Sequence, residues 1–268
     1  MLWCARGDMT RVLPGLFVFL FGAVLCAAPV YASASTDLTG TWAAKRLTRV
    51  VDKAPFIGTF TIDMETIALF EGRSKGSKFT TKETVCSVRM SSSTSSIKAS
   101  PASTLAKAVN GTKRTFRVTS SKDGTRFTYP KQASVWGARL KNVSKDKLPT
   151  DPKDARVYDV DEDGHPGMTV KIRGLVSGEF HIVQRDVEAW TGKLVSPNRI
   201  EGSISWSFER SILDKTSAFL PSKNKGKADT SPKHNRFILQ KVGKGATCKD
   251  ILKSPEAFFA PRTKPSSP

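Results

Sequence analysis

The most constraining feature of this chain is a run in which apolar and polar residues alternate without interruption. It covers Ile200–Glu209, where Ile204, Trp206 and Phe208 share one face and serine and glutamate side chains share the other. A period of two residues is typical of a β-strand with one buried face. The run therefore predicts a half-buried antiparallel strand.

Further strands are predicted along most of the chain, whereas helical periodicity is confined to two short segments, Thr104–Val109 and Lys249–Lys253. Turn-like connections such as Lys122–Thr125, which contains Asp-Gly, join several of the strands. This spacing predicts an all-β fold, either an antiparallel up-and-down β-barrel or a sandwich, with short helices only. The strand segments are Thr59–Phe70, Lys78–Met90, Thr115–Ser120, Arg126–Tyr129, Ser134–Leu140, Met168–Gly174, Glu179–Gln184, Val187–Val195 and Asn235–Val242.

The segment Thr59–Phe70 changes phase part-way along. Its first half places Ile62 and Met64 on the apolar face, and its second half places Ile67 and Leu69 there. We expect a bulge or bend at this point, of the kind that closed sheets use to curve.

The first 34 residues have the three parts of a secretory signal peptide. Arg6 and Arg11 precede a short apolar run, and Ala32–Ala34 has the small-residue pattern of a cleavage site. A permanent membrane anchor is the alternative, but Pro14 interrupts the run early. We therefore predict export to the periplasm or the medium, with association to the outer envelope also compatible. The domain organisation is then a signal peptide at 1–34, one β-rich domain at 35–254, and an irregular proline-rich tail at 255–268.

Cysteine usage agrees with export. Cys4 and Cys26 fall in the predicted signal peptide, which leaves Cys86 and Cys248. Two distant cysteines in an exported chain most simply form one disulfide, and two buried free thiols are the alternative. With no neighbouring histidines, they do not complete a tetrahedral zinc shell.

The composition is strongly basic, with a formal net charge of +19. Such a charge favours contact with anionic partners, including anionic polymers of the cell envelope. The lysines stand in turn-like stretches without interleaved aromatic residues, so no specific nucleic-acid partner is predicted. The segment Gly72–Gly76 matches G-x-S-x-G, but a strand rather than a helix is predicted to follow it. We expect a protein that is not an enzyme.

Acidic residues concentrate in one segment. Asp159, Asp161 and Asp163 alternate and lead directly into Gly164. Oxygen ligands in a tight loop with a glycine turn suit Ca²⁺, which makes this triad the candidate metal site. The alternative is a plain solvated turn in which the aspartates bond nearby backbone amides. His165 offers a nitrogen ligand for a transition metal, although the carboxylate-rich set favours Ca²⁺.

Two stretches carry a resemblance to known proteins. Gly40-Thr-Trp42 resembles the G-x-W of the first strand of lipocalins, in which the tryptophan closes the barrel floor under a basic residue from a late strand. The resemblance implies a lipocalin-like barrel with Trp42 and Arg236 at its floor. The segments Glu83–Ser87 and Asp161–Val170 also resemble uncharacterised exported proteins of Gram-negative bacteria, and this likeness carries over no catalytic residues.

Two functions of different class follow. The first is a non-enzymatic exported barrel that binds a lipid or another hydrophobic or amphiphilic ligand, or an envelope component. The second is a basic structural or adhesion module of the envelope that contacts anionic surface polymers and has no ligand cavity. The lining of the barrel interior distinguishes them, since an apolar cavity favours the first and a filled aromatic core favours the second.

Overall fold

The computed structural model describes residues 37–54, 57–223 and 225–261, and the predicted signal peptide lies outside them. The described residues form long antiparallel strands with a few short helices. Their bounds are β1 (Gly40–Ala54), β2 (Gly58–Lys75), β3 (Lys78–Ser92), β4 (Ile97–Pro101), α1 (Leu105–Ala108), β5 (Lys113–Ser121), β6 (Gly124–Trp136), β7 (Met168–Gly174), β8 (Gly178–Ser196), β9 (Arg199–Lys215), β10 (Lys227–Ala228), β11 (Arg236–Val242), α2 (Cys248–Lys253) and α3 (Pro255–Phe259).

Eight strands close into a ring in the order β1, β2, β3, β5, β6, β8, β9 and β11, and β11 pairs back with β1. Each ring neighbour is also the next ring strand along the chain, and every pairing is antiparallel. This is an up-and-down barrel, so the all-β prediction is confirmed. Beyond the end of β6, β7 continues along the same edge of β8, and β4 pairs with β7.

Several predicted strands merge. The segments Arg126–Tyr129 and Ser134–Leu140 belong to β6, which ends at Trp136, and the register with β8 shifts between Tyr129 and Gln132. Likewise, Glu179–Gln184 and Val187–Val195 are parts of the single strand β8. A barrel needs long tilted strands, so polar residues within them do not mark strand ends.

One end of the barrel is filled by aromatic side chains. Each is nearly or fully buried, and burial of one such side chain stabilises the fold by roughly 1.5–3 kcal/mol. The register partners Gly192 and Gly202 leave room for Phe237, since a Cβ at either glycine would lie 2.7 Å from its ring. We call this filled end the floor, and its aromatic members are Trp42, Phe70, Phe79, Phe116, Phe127, Trp190 and Phe237.

The predicted floor residue Trp42 lies in this core and is fully buried, and its indole Nε1 donates to the Leu38 carbonyl at 2.9 Å. The prediction placed Arg236 or another cation against the Trp42 ring, and the assignment to Arg236 is wrong. Because side chains alternate along β11, Phe237 faces inward and Arg236 is exposed. The cation over the Trp42 ring is Lys241, whose Nζ lies 5.7 Å from the ring centroid.

The phase change predicted within β2 has a different cause from the one expected. Met64, Thr66 and Phe70 keep one phase and face the barrel interior. Ile67 and Leu69 lie on the opposite face, where they join a second core outside the barrel. We call this second core the outer core. They are apolar because the C-terminal helices cover them, so the prediction that they face the interior is wrong.

A bulge does occur at this point, but it lies in the partner strand. Ile67 pairs with Ser87 and Ala68 pairs with Val85, which leaves Cys86 of β3 as the extra residue. A bulge bends its own strand and reverses which residues face inward beyond it. The bulge therefore places Cys86 toward the outer core.

The C-terminal segment packs on the outer core. Helix α2 starts with a capping box between Thr247 and Asp250, and Ile251 and Phe259 are buried against β2. The prediction of an irregular tail is therefore wrong for α3, and residues 262–268 lie outside the described range. Arg199 fastens this end through bonds of 2.9 Å to two backbone carbonyls, those of Phe258 and Ala260.

Candidate functional site

A cavity of about 640 Å³ occupies the barrel beyond the floor. Alternate residues of the ring strands line it together with residues of β4, α1 and β7, and the wall is mostly apolar. Phe219 and Leu175, which are 86% and 69% exposed, mark its rim. The apolar wall includes Val50, Ile62, Met64, Val88, Met90, Met168, Val170, Phe180, Ile204 and Trp206.

The strand that opened the sequence analysis supplies part of this wall. Ile204 is buried against the floor, and Trp206 lines the cavity, stacked on Phe208 at a centroid distance of 5.4 Å. The predicted alternation of β9 is confirmed. Trp206 also donates through Nε1 to Asn235 at 2.9 Å, which fixes the ring against the wall.

Charged side chains separate the floor from the cavity. Arg46 of β1 donates to Glu83 at 2.6 Å, and Arg114 of β5 bonds both Glu83 and Glu188. Both guanidinium groups lie over the Trp190 ring, at 5.7 and 5.3 Å from its centroid. We call Arg46, Glu83, Arg114 and Glu188 the charged layer.

Glu83 and Arg114, the two most buried members of the charged layer, stay ionised despite their burial. Glu83 is 2% exposed and Arg114 is 6% exposed. Burial disfavours the Glu83 carboxylate, but Arg46 and Arg114 outweigh that cost and hold the pKa of Glu83 below its usual range. Burial also disfavours the Arg114 cation, and Glu83 and Glu188 outweigh it and raise the pKa of Arg114.

A second polar group lies higher on the cavity wall. Asp186 accepts hydrogen bonds from Trp136 Nε1 and Gln184 Nε2, both at 2.8 Å. Gln184 Oε1 accepts in turn from Arg210, from Nε at 2.9 Å and from Nη2 at 2.7 Å. Burial raises the pKa of Asp186 to about 6 and lowers the pKa of Arg210. The cavity thus offers an apolar wall with charged groups at defined depths.

The sequence analysis missed the charged layer, although one signal was present. In β3, Glu83 stands in the same phase as Phe79 and Val85, which are buried. A glutamate in an apolar phase predicts a buried charge, and a buried charge requires a partner. Its partners on β1 and β5 are not evident from sequence, because strand pairing alone brings them together.

The acidic triad lies outside the cavity, in the loop between β6 and β7. Asp159, Asp161 and Asp163 each present a carboxylate oxygen within 4.8 Å of the others. Backbone amides already bond them, from Gly164 to Asp159 at 2.8 Å and from Thr169 to Asp161 at 2.9 Å. The three carboxylates do converge, and Ca²⁺ binding remains a prediction.

Asp161 differs from its two neighbours because it is fully buried. Burial, with the charges of Asp163 and Asp159, raises the pKa of Asp161 to about 6. Its Oδ1 has no hydrogen-bond partner among the described residues. A bound cation would satisfy this oxygen, and so would a proton.

The predicted disulfide is present. Cys86 and Cys248 are bonded, with their Cα atoms 5.1 Å apart, inside the 7 Å that a bridge allows. The bond joins the bulge of β3 to the first residue of α2. Within the part of the chain that the structure describes, no helix has the length and apolar character needed to cross a membrane.

Comparison with known proteins adds nothing to this description: no protein-family model, no curated protein and no solved structure matches the chain. The fold assignment therefore rests on the strand pairing, and any functional assignment rests on the cavity and its polar groups.

Proposed function

We propose that this protein is an exported, non-enzymatic barrel that binds an amphiphilic ligand in its cavity. The apolar part of the ligand lies along the wall, and its polar group meets the charged layer. The observation that carries the proposal is the combination of a cavity of about 640 Å³ with a mostly apolar wall and buried ion pairs at its base. Small-molecule sites are typically clefts of 300–1,000 Å³ with few polar groups that fix orientation.

Arg46 indicates the sign of the polar group. It lines the cavity, and its Nε is buried without a hydrogen-bond partner among the described residues. A buried guanidinium N–H favours an acceptor, and a charged acceptor more than a neutral one. An anionic head group therefore fits this end of the cavity, which makes a lipid or another anionic amphiphile the ligand class.

Export is part of the proposal. The predicted signal peptide directs the chain out of the cytoplasm, and the Cys86–Cys248 bond is of a kind that persists in oxidising compartments. We propose that the protein is located in the periplasm or the medium. Contact with the outer envelope is compatible with this location. The second hypothesis, a basic module for anionic polymers, assumed a filled interior. Only the floor end of the barrel is filled, so the cavity favours the first hypothesis.

The test has two arms. Lipid extraction of purified protein followed by mass spectrometry should yield a co-purifying amphiphile. Titration with anilinonaphthalene sulfonate, an anionic fluorescent probe, should give saturable binding that Met90→Trp lowers at least about tenfold, because the new ring fills the cavity. Ser91→Trp is the matched control, since the neighbouring residue is exposed on the same strand.

Circular dichroism melts should show both variants folded. Equal probe affinity in the wild type, Met90→Trp and Ser91→Trp would place the probe outside the cavity. That result, together with an extract free of amphiphiles, would contradict the proposal.

A further inference from the structure

A histidine pair forms a second cluster of metal-ligating groups beside the loop between β6 and β7, which we call the acidic loop because it carries the acidic triad. His181 lies on β8 and is 1% exposed. It alternates with Phe180, which lines the cavity, so His181 is on the opposite face of the sheet. His165, an exposed residue of the loop, stacks on it with ring centroids 4.3 Å apart. Ligand atoms of His165, Glu179 and His181 all lie within 4.8 Å of one another.

The His181 ring has no hydrogen-bond partner on either nitrogen among the described residues. Seven buried side-chain atoms of the described residues share this condition, and four of them belong to Asp161, Thr169 and His181. These residues are adjacent, since Thr169 pairs with His181 in the sheet and donates its amide to Asp161. Leaving a buried polar group without a partner is unfavourable, so their concentration at one place favours a bound ligand there.

The distances around His181 match a metal ligand with a supporting carboxylate. Glu179 Oε2 lies 3.9 Å from Nε2, which is too long for a hydrogen bond. Two ligands that each bind one zinc ion at about 2.0–2.2 Å lie at most about 4.4 Å apart. Asp214 Oδ2 lies 3.8 Å from Nδ1 on the other side of the ring, which is also too long for a hydrogen bond. Histidine ligands commonly have a carboxylate near their second nitrogen, and Asp214 is the residue placed to approach Nδ1 when the metal binds.

We propose that His165, His181 and Glu179 bind a divalent transition-metal cation of the Zn²⁺ class. Imidazole nitrogens suit Zn²⁺, whereas Ca²⁺ takes oxygen ligands, so this site differs in chemistry from the adjacent acidic triad. Glu179 retains a bond between Oε1 and Lys171 at 3.2 Å, which leaves Oε2 for the metal. The ion fastens the acidic loop to β8, and exposed His165 is the ligand that turns to meet it.

Calorimetric titration of tag-free, EDTA-treated protein with Zn²⁺ tests the site, with Co²⁺ absorption as a report on its ligands. We expect one Zn²⁺ per chain, and at least about tenfold weaker binding in His165→Ala and in His181→Gln. His234→Ala is the matched control. His234 is not part of the acidic loop and bonds Asp229 at a distance of 2.8 Å, so this variant should leave Zn²⁺ binding unchanged.

His165 is exposed, so His165→Ala keeps the test valid if His181→Gln fails to fold. No Zn²⁺ uptake by the wild type, unchanged uptake in His165→Ala, or uptake of Ca²⁺ alone would each overturn the proposal. None of these results bears on the cavity, since His165 and His181 do not contribute to its lining.

Discussion

At the scale of single residues, this barrel is distinguished by charges placed where apolar side chains would ordinarily stand. Glu83 and Arg114 are buried between an aromatic floor and an apolar cavity. A buried ion pair is rarely a net source of stability, because desolvation cancels much of the Coulomb attraction. The proposed contact with the charged group of a ligand would give these residues a role other than stability.

Arg46→Met tests this role. We expect the affinity for anilinonaphthalene sulfonate to fall at least about tenfold, because the variant loses a guanidinium group that lines the cavity and whose Nε has no hydrogen-bond partner among the described residues. Glu83 keeps its bond to Arg114, so the free energy of unfolding should fall by only about 1–2 kcal/mol. Fluorescence titration and denaturant unfolding measure the two effects.

Arg49→Met is the matched control, since Arg49 lies three residues further along β1 and bonds Asp63 rather than the charged layer. Its probe affinity should equal that of the wild type. An equal loss in both variants would mean that general charge, and not the position of Arg46, governs binding.

At the scale of elements, two features outside the barrel wall are coupled to it. The first is the acidic loop, in which the folded state holds Asp161 with a pKa raised from 3.8 to about 6. A raised carboxyl pKa stabilises the fold at low pH, and that contribution is lost as the pH rises through about 6.

In EDTA, the wild type should therefore lose stability between about pH 4 and 6 by up to about 3 kcal/mol from this group. Asp161→Asn should remove that loss and melt at a higher temperature at pH 7.5, because an amide avoids repulsion with Asp159 and Asp163. Excess Ca²⁺ should raise the melting temperature of the wild type and leave Asp161→Asn unchanged.

Asp151→Asn provides the comparison, since Asp151 is an exposed residue of the same loop. It should respond to pH and to Ca²⁺ as the wild type does. If the wild type melts at the same temperature in excess Ca²⁺ and in EDTA, the triad is a hydrogen-bonded turn and not a calcium site.

The second feature is the outer core, where the disulfide fixes α2 to the bulge of β3. It closes a loop with a sequence separation of 162 residues. On the chain-entropy model, the double variant Cys86→Ser/Cys248→Ser should lose about 2–5 kcal/mol of unfolding free energy. Dithiothreitol should lower the wild-type melting temperature toward that of the variant. A variant that matches the oxidised wild type would show that packing of Ile251 and Phe259 alone holds the helices.

At the scale of the whole molecule, the apolar residues of the cavity and the basic residues of the surface lie on opposite faces of the barrel wall, although they are interleaved in the sequence. The interior is apolar with internally paired charges, whereas the lysines that contribute most to the net charge of +19 are mostly exposed, on strands as well as in loops of the described residues. Contact with anionic polymers should therefore be a property of the outer surface and independent of the cavity.

Chromatography on immobilised heparin, a sulfated polysaccharide, measures this surface property. The wild type and Met90→Trp should bind at low salt and elute together as salt is raised, because screening shortens the Debye length from about 10 Å at 0.1 M to about 3 Å at 1 M. Earlier elution of Met90→Trp would show that the polymer enters the cavity, and would favour the polymer-binding hypothesis.

The sequence by itself determined the strand content, the inward face of β9, the burial of Trp42 and the cysteine pair. The strand content and the inward face of β9 follow from local period-two alternation, and the cysteine pair follows from cysteine number in a chain predicted to be exported. The burial of Trp42 was implied by the resemblance of Gly40–Trp42 to the first strand of lipocalins. Local alternation does not say which strands are neighbours. It therefore could not predict that Arg46, Glu83 and Arg114 lie together, or that Lys241 rather than Arg236 lies against Trp42.

Tertiary structure also decided which face each apolar residue serves. Ile67 and Leu69 appear from sequence to belong to the interior, yet they bury against helices from the far end of the chain. The same holds for His181, whose neighbours His165 and Asp214 come from a loop and from another strand. The physical reason is that burial depends on what covers a residue, and in a closed barrel the covering segments are distant in sequence.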